Sequence, residues 1–169
     1  MKEKDFVTII NNSIKAAGGF SYKIPDTPFI PNNPMRFTGK KPFDCISVLY
    51  PYAWYIEAKY SNGICGFSDR ILREHQKENL LKVYENNDDY GIIKPVVIYA
   101  CYIPRQIKRI YIFHITRIID NKITKKQLIN DLKYLPIKKT EYMKKVKGQM
   151  KLVKEDLFDA TKMEESIII

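Results

Sequence analysis

The apolar residues of this 169-residue chain change their spacing several times, and each change marks an element. Phe6, Ile9, Ile10 and Ile14 recur at helical intervals, so residues 5 to 17 read as a short helix ended by Gly18-Gly19. Pro25 through Pro34 exclude a helix interior or a central strand and leave a long extended connection. The period then shortens. Cys45, Ile46, Val48, Leu49 and Tyr50 form one β-rich run and Trp54, Tyr55 and Ile56 another, with Pro51-Tyr52 as the turn of a hairpin. Tyr60 to Gly66 reads as a loop or a ragged continuation of the strand. Helical spacing returns from Ser68 to Tyr84, where Ile71, Leu72, Leu80, Leu81 and Tyr84 share a stripe and Ser68 offers a cap. After the polar turn Glu85 to Gly91, Pro95 to Tyr102 and Arg109 to Ile115 are strongly apolar strands joined through Pro104. Helix, hairpin, helix, strand, strand predicts an α/β fold, a mixed β-sheet flanked by helices.

Beyond Asn121 the composition shifts. Eleven lysines between residues 122 and 154 face only Asp131 and Glu141. Leu128, Leu132, Leu135, Met143, Val146, Met150 and Val153 leave enough periodic apolar positions to predict helices there. Glu155, Asp156, Asp159, Glu164 and Glu165 against Lys162 then reverse the sign. The chain therefore divides into a core, 1–120, and a Lys-rich C-terminal extension, 121–169, with a short acidic tail, packed on or appended to that core.

Composition changes the picture in three ways. A hydrophobic content of 45% with 28% charged residues argues against wholesale disorder. The net charge of +10 favours a polyanionic partner, nucleic acid first and an anionic membrane surface second, although a Lys-, Ile- and Asn-rich composition is also what AT-rich genomes give. Cys45, Cys65 and Cys101 form no ligand-spaced cluster, and with only His75 and His114 beside them a structural zinc site is not expected. The odd cysteine count and the charged start Met1-Lys2-Glu3-Lys4-Asp5 fit a reducing, cytoplasmic location, and no apolar run is long enough to predict a membrane helix.

The candidate chemistry lies in the hairpin. Strand alternation puts Glu57 and Lys59 on one face. With the turn near Tyr50-Pro51, Asp44 falls opposite Glu57; with the turn centre moved by one residue it falls opposite Lys59. Two carboxylates with carbonyl, water and phosphate oxygens are the hard ligands preferred by Mg2+, with Mn2+ the alternative. Such an ion would activate water for attack on a phosphodiester, while the Lys59 ammonium positions the nucleophile or offsets charge on the phosphate. A surface ion-pair group is the competing reading. Against it, Glu57 and Lys59 continue a strand too apolar for a solvent-facing edge, and Asp44 follows Pro42-Phe43 at the entrance of its strand.

Pro42-Phe43-Asp44 followed by Glu57-Ala58-Lys59 resembles the PD-(D/E)XK nuclease signature. Phe37-Thr38-Gly39 through Asp44, Tyr55-Ile56-Glu57-Ala58-Lys59 and Arg73-Glu74-His75-Gln76 together are similar to RecU-like Holliday junction resolvases, over roughly Arg36 to Ile115. The resemblance implies a restriction-endonuclease-like core, Asp44 and Glu57 as metal ligands, Lys59 as the catalytic lysine and Gln76 as a further active-site residue. It also implies Mg2+-dependent hydrolysis leaving a 5′-phosphate, a branched DNA substrate and a homodimer. His75 reads as a packing residue rather than a base. The chain departs from the family at the acid expected on the first helix: Glu3 and Asp5 lie at its start, and Asn11 and Asn12 occupy its body. Ile24 to Arg36 is too short for the long stalk that such enzymes insert into a junction.

Cationic residues supply candidate DNA contacts. Lys40 and Lys41 precede the acidic strand; Arg70 and Arg73, three residues apart, share a face of the Gln76 helix; Arg105, Lys108 and Arg109 cluster at a strand connection. The Lys-rich extension, including Lys144, Lys145 and Lys147, would hold phosphates without reading sequence. Tyr52 at the turn is the tyrosine placed for stacking on a base. Two other functions compete: a nuclease of the same fold from a phage, mobile element or defence system acting on flaps or ends, and a non-catalytic nucleic-acid-binding subunit working through the basic extension.

Overall fold

The computed structural model describes residues 3–25, 41–63, 66–67, 69–87, 91–101, 108–119 and 122–169. Phe37 to Lys40, the proline-rich connection beyond Pro25, Cys65, Ser68, Tyr102, Pro104, Arg105 and Asn121 lie outside the described residues.

The chain begins with α1, Glu3–Ala16, whose first turn carries Glu3 and Asp5, where the helix dipole favours acids. Gly18, at φ 84°, ends it: its N–H reaches the carbonyl of Lys15, and that of Gly19 reaches Ile14. Strand β1, Phe20–Lys23, follows at once. Sequence reading passed over it, because four residues between a glycine pair and Pro25 show barely one alternation. Strands β2, Cys45–Leu49, and β3, Tyr52–Ser61, form the expected hairpin. A 3-10 turn, Asp69–Ile71, leads to α2, Glu74–Glu85, and α2 returns the chain to β4, Ile93–Cys101, which runs parallel to β3. Strand β5, Arg109–His114, turns back antiparallel and runs into α3, Ile115–Ile119. The expected helix from Ser68 to Tyr84 therefore starts later than predicted. Arg73 is extended, at ψ 150°, and Gln76 caps α2 from within, so Arg70 sits on the separate 3-10 turn.

The expected mixed α/β core is present. Among the described residues the sheet has the order β1-β2-β3-β4-β5-β6, with one parallel pair, β3–β4, along that path. One face packs Ile56, Ala58, Val96, Ile98, Ile110 and Ile112 against Phe6, Ile10 and Ile14 of α1. The other packs Val97, Tyr99, Tyr111 and Phe113 against Phe67, Leu80 of α2, Ile115 and Ile118 of α3, and Leu128.

The Lys-rich region corrects the expected helical extension. Among the described residues of this region α-helix is confined to α4, Lys125–Asn130; β6, Leu135–Pro136, then joins β5. The lysines 138 to 154 lie in a two-stranded antiparallel ribbon of β7, Lys138–Val146, and β8, Gln149–Leu157. Met143, Val146, Met150 and Val153 are spaced three or four apart, which mimics a helix. Yet Lys147 and Gly148 both take positive φ, 49° and 84°, the pair a two-residue hairpin turn requires. The chain then comes back to the core: Phe158, Ala160 and Met163 join the α1 face, and β9, Ile167–Ile168, pairs parallel with β5. Cys45 and Cys101 are buried thiols outside any disulfide, and burial with the nearby Asp44 charge pushes Cys45 up to about 12. No helix among the described residues is long and apolar enough to cross a membrane.

Candidate active site

Hairpin register decides which side chains meet. Cys45 opposes Ile56 and the Asp44 N–H donates to the Ile56 carbonyl at 3.1 Å, so the next pair outward sets Asp44 beside Glu57. Of the two registers open to the sequence, this is the one with the turn at Tyr50-Pro51. Along β3, Glu57 and Lys59 pair with Val97 and Tyr99 of β4, on the face that α2 covers. The N-terminus of α2 thereby brings Gln76 to Glu57, and the N-terminus of α1 brings Glu3 to Lys59.

Each group is held by a specific contact. Asp44, 3% exposed, accepts the Ala58 N–H on Oδ2 at 2.9 Å, and its Oδ1 lies 2.7 Å from Lys41 Nζ. Glu57, 1% exposed, accepts on Oε1 from Lys59 Nζ at 2.8 Å and from Gln76 Nε2. The Gln76 amide is used twice, because its Oε1 also accepts the Arg73 N–H at 2.9 Å and so caps α2. Lys59 Nζ lies 3.8 Å from Glu3 Oε1. Asp44, Glu57, Lys59 and Gln76 thus come together although three elements supply them.

The electrostatics point to a cation. Burial, reinforced by the Asp44 charge, pushes Glu57 up to about 7 despite the nearby Lys59. Its second oxygen, Oε2, is buried without a hydrogen-bond partner, an arrangement that normally carries a penalty. One oxygen each of Glu3, Asp44 and Glu57 lies within 4.8 Å of the others. Three carboxylates with an orphaned buried oxygen fit a hard divalent cation such as Mg2+ or Mn2+. Glu3, half exposed, settles which acid of α1 approaches the pair, since Asp5 does not join the cluster. The sequence left Glu3 and Asp5 open, and the position of Glu3 in the first turn of α1 was the available signal.

Glu3, Asp44 and Gln76 line an open cleft of about 440 Å3, which is also lined by Lys4, Lys23, Lys41, Lys59 and Arg73. Carboxylates surrounded by cations can accept a metal and a phosphate side by side. Lys41 and Arg73 line this cleft, and Arg70 does not. Lys4 neighbours Glu3, and Lys23 ends the unanticipated β1. Lys144, Lys145 and Lys147 are on the β7–β8 ribbon and do not line the cleft. Arg109 is committed to structure, donating to the Ile129 carbonyl at 2.8 Å and stacking 4.1 Å over Tyr134. Tyr52 is half-buried, packed edge-on against Trp54 with Lys94 Nζ over its ring, so it is not a free stacking platform.

No protein-family model and no curated protein matches the chain. Among solved structures it is similar to Hjc, a Holliday junction resolvase from the archaeal hyperthermophile Archaeoglobus fulgidus, at 15% identity and a TM-score of 0.45, covering 73% of this chain and 88% of that one.

Proposed function

We propose that the chain is a metal-dependent DNA endonuclease that hydrolyses phosphodiester bonds, with branched DNA, such as a Holliday junction, as its substrate. The observation that carries the nuclease reading is the convergence of Glu3, Asp44 and Glu57 oxygens within 4.8 Å, with Lys59 Nζ 2.8 Å from Glu57. Branched DNA rests on the sequence resemblance alone. Glu3, Asp44 and Glu57 would hold Mg2+ or Mn2+, which supplies a water of lowered pKa and neutralises charge on the phosphate. Lys59 holds the Glu57 carboxylate and presents an ammonium toward the cleft, where it orients the attacking water and offsets charge on the phosphate. Gln76 keeps Glu57 from rotating, because its amide is fixed at its other end to the α2 cap. Lys41 and Arg73 receive the flanking phosphates. The expected products carry a 5′-phosphate and a 3′-hydroxyl.

Purified protein with Mg2+ or Mn2+ is expected to cut a four-way junction in preference to a flap or a linear duplex. Asp44→Asn, Glu57→Gln and Lys59→Met are each expected to lower the rate by roughly 10^2-fold or more, while duplex affinity measured without metal stays near wild type. Wild-type protein that leaves every DNA form uncut would end the proposal. Preference for the flap or duplex would keep the chemistry and replace the resolvase by a nuclease of another pathway. The homodimer implied by the resemblance is supported by an apolar strip on the β1–β2 edge. There Phe20, Tyr22, Val48 and Tyr50 are 64%, 54%, 47% and 93% exposed, and sedimentation velocity tests it.

A further inference from the structure

The β7–β8 ribbon takes no part in the site described, and its surface is costly unless something covers it. Each nine-residue strand is roughly 30 Å long at ~3.3 Å per residue. Its inner face is fastened to α1: Asn12 Nδ2 donates to Glu155 Oε2 at 2.8 Å, and Tyr142 and Lys144 reach the same carboxylate at 2.7 and 2.8 Å. The outer face is open. Met143 opposes Leu152 and Lys145 opposes Met150, so Met143, Leu152 and Met150 form one contiguous apolar patch, 54%, 66% and 59% exposed. Lys145 and Lys154 frame it, and Lys147 stands at the turn.

We infer that this ribbon is an arm that docks in a groove of the double-stranded part of the DNA substrate. Lys145 and Lys147 lie on phosphates, and Met143, Met150 and Leu152 face the base edges. The major groove of B-form DNA, roughly 12 Å wide, admits a two-stranded ribbon, whereas the deep, narrow major groove of an RNA duplex does not. A second copy of the chain is disfavoured as occupant, because it would bring lysines against lysines. The inference rests on the nuclease reading for its choice of DNA over other polyanions.

Equilibrium binding of the full chain to linear duplex DNA in EDTA, across a salt series, tests it. Replacing Lys145 and Lys147 by Gln is expected to lower affinity roughly tenfold or more and to reduce the slope of log affinity against log salt by about 1.8, at ~0.9 per phosphate contact. Replacing Met143, Met150 and Leu152 by Ser is expected to weaken binding about tenfold with the salt slope unchanged, since apolar contacts release no counterions. Melting temperatures matching wild type show that both variants are folded. Unaltered affinity in either variant overturns the arm. So does loss of binding to phosphatidylserine vesicles, or loss of a dimer, with DNA binding intact, or equal competition by an RNA duplex. A wild type that binds through the ribbon yet cuts nothing with Mg2+ sinks the nuclease reading alone; one that cuts DNA while both variants bind normally sinks the arm alone.

Discussion

Glu57 concentrates the physics of the site in one side chain. Its carboxyl is pushed up to about 7 by burial and by Asp44, against an ordinary value of 4.5, so between those values the folded chain holds a proton that the unfolded chain has lost. Stability is therefore greatest below about pH 4.5 as far as this group is concerned, and falls as pH rises toward 7. Metal-free protein should accordingly lose thermal stability between pH 5 and pH 8, and Glu57→Gln should flatten that dependence and melt higher at pH 8. A metal acts in the opposite direction, since it needs the ionised carboxylate: affinity for Mn2+, followed by calorimetry, should rise with pH through about 7 and release a proton on binding. A pH-independent affinity across that window would sink this account of Glu57. That Glu57 and Lys59 share a face was legible beforehand because a two-residue period needs no tertiary knowledge. The orphaned Oε2 was not, since it depends on everything packed around it.

At the scale of elements, two helix N-termini complete what one hairpin begins. Helix α1 carries Glu3 and Asp5 in its first turn, and two residues apart on a helix they point about 200° from each other. Only Glu3 joins Asp44 and Glu57. Glu3→Gln should therefore weaken Mn2+ binding by roughly 10-fold, in the range typical for supporting metal contacts, while Asp5→Asn leaves it unchanged; equal effects would show that the helix supplies only general negative charge. Helix α2 was legible as a helix, but its starting point was not. Ile71 and Leu72 extend the apolar period upstream, and it is the reach of Gln76 back to the Arg73 N–H that ends the helix there. Strand β1 and the β7–β8 ribbon escaped for related reasons. One is too short for its alternation to register, and the other has apolar spacing that suits a helix as well as paired strands. Gly148 was the available signal, and it gains its meaning once Lys147 beside it adopts positive φ.

Across the whole molecule, the C-terminal region is part of the same body as the hairpin that carries the acids. Leu128, Leu135, Ile137, Leu157, Phe158 and Met163 are all buried. At about 1.5–3 kcal/mol each they contribute on the order of 10 kcal/mol, comparable with the net stability of an ordinary domain. Removing residues 122–169 as a block would unfold the chain rather than isolate a function, so the ribbon must be probed by surface substitutions. The β1–β2 edge raises the remaining question at this scale. Phe20 and Tyr22 on an edge strand, opposite Val48 and Ile46, are a surface that a second copy could cover. Phe20→Asp is expected to convert a sedimenting dimer into monomer without unfolding; a monomeric wild type at micromolar concentration would remove the dimer.

Short-range patterning thus already held the parts: the shared face of Glu57 and Lys59, the amphipathic α1, the net positive charge and the glutamine on α2. Those are consequences of local geometry, the same in any context. Which acid of α1 reaches Glu57, where α2 starts, which hairpin register obtains and whether the lysines ride on helix or ribbon are set by contacts between residues distant in sequence. Asn12 with Glu155 and Ser13 with Phe158 are such contacts, more than 140 positions apart. Their energies exceed the few tenths of a kcal/mol that separate local alternatives (~0.2–0.7 per residue or pair).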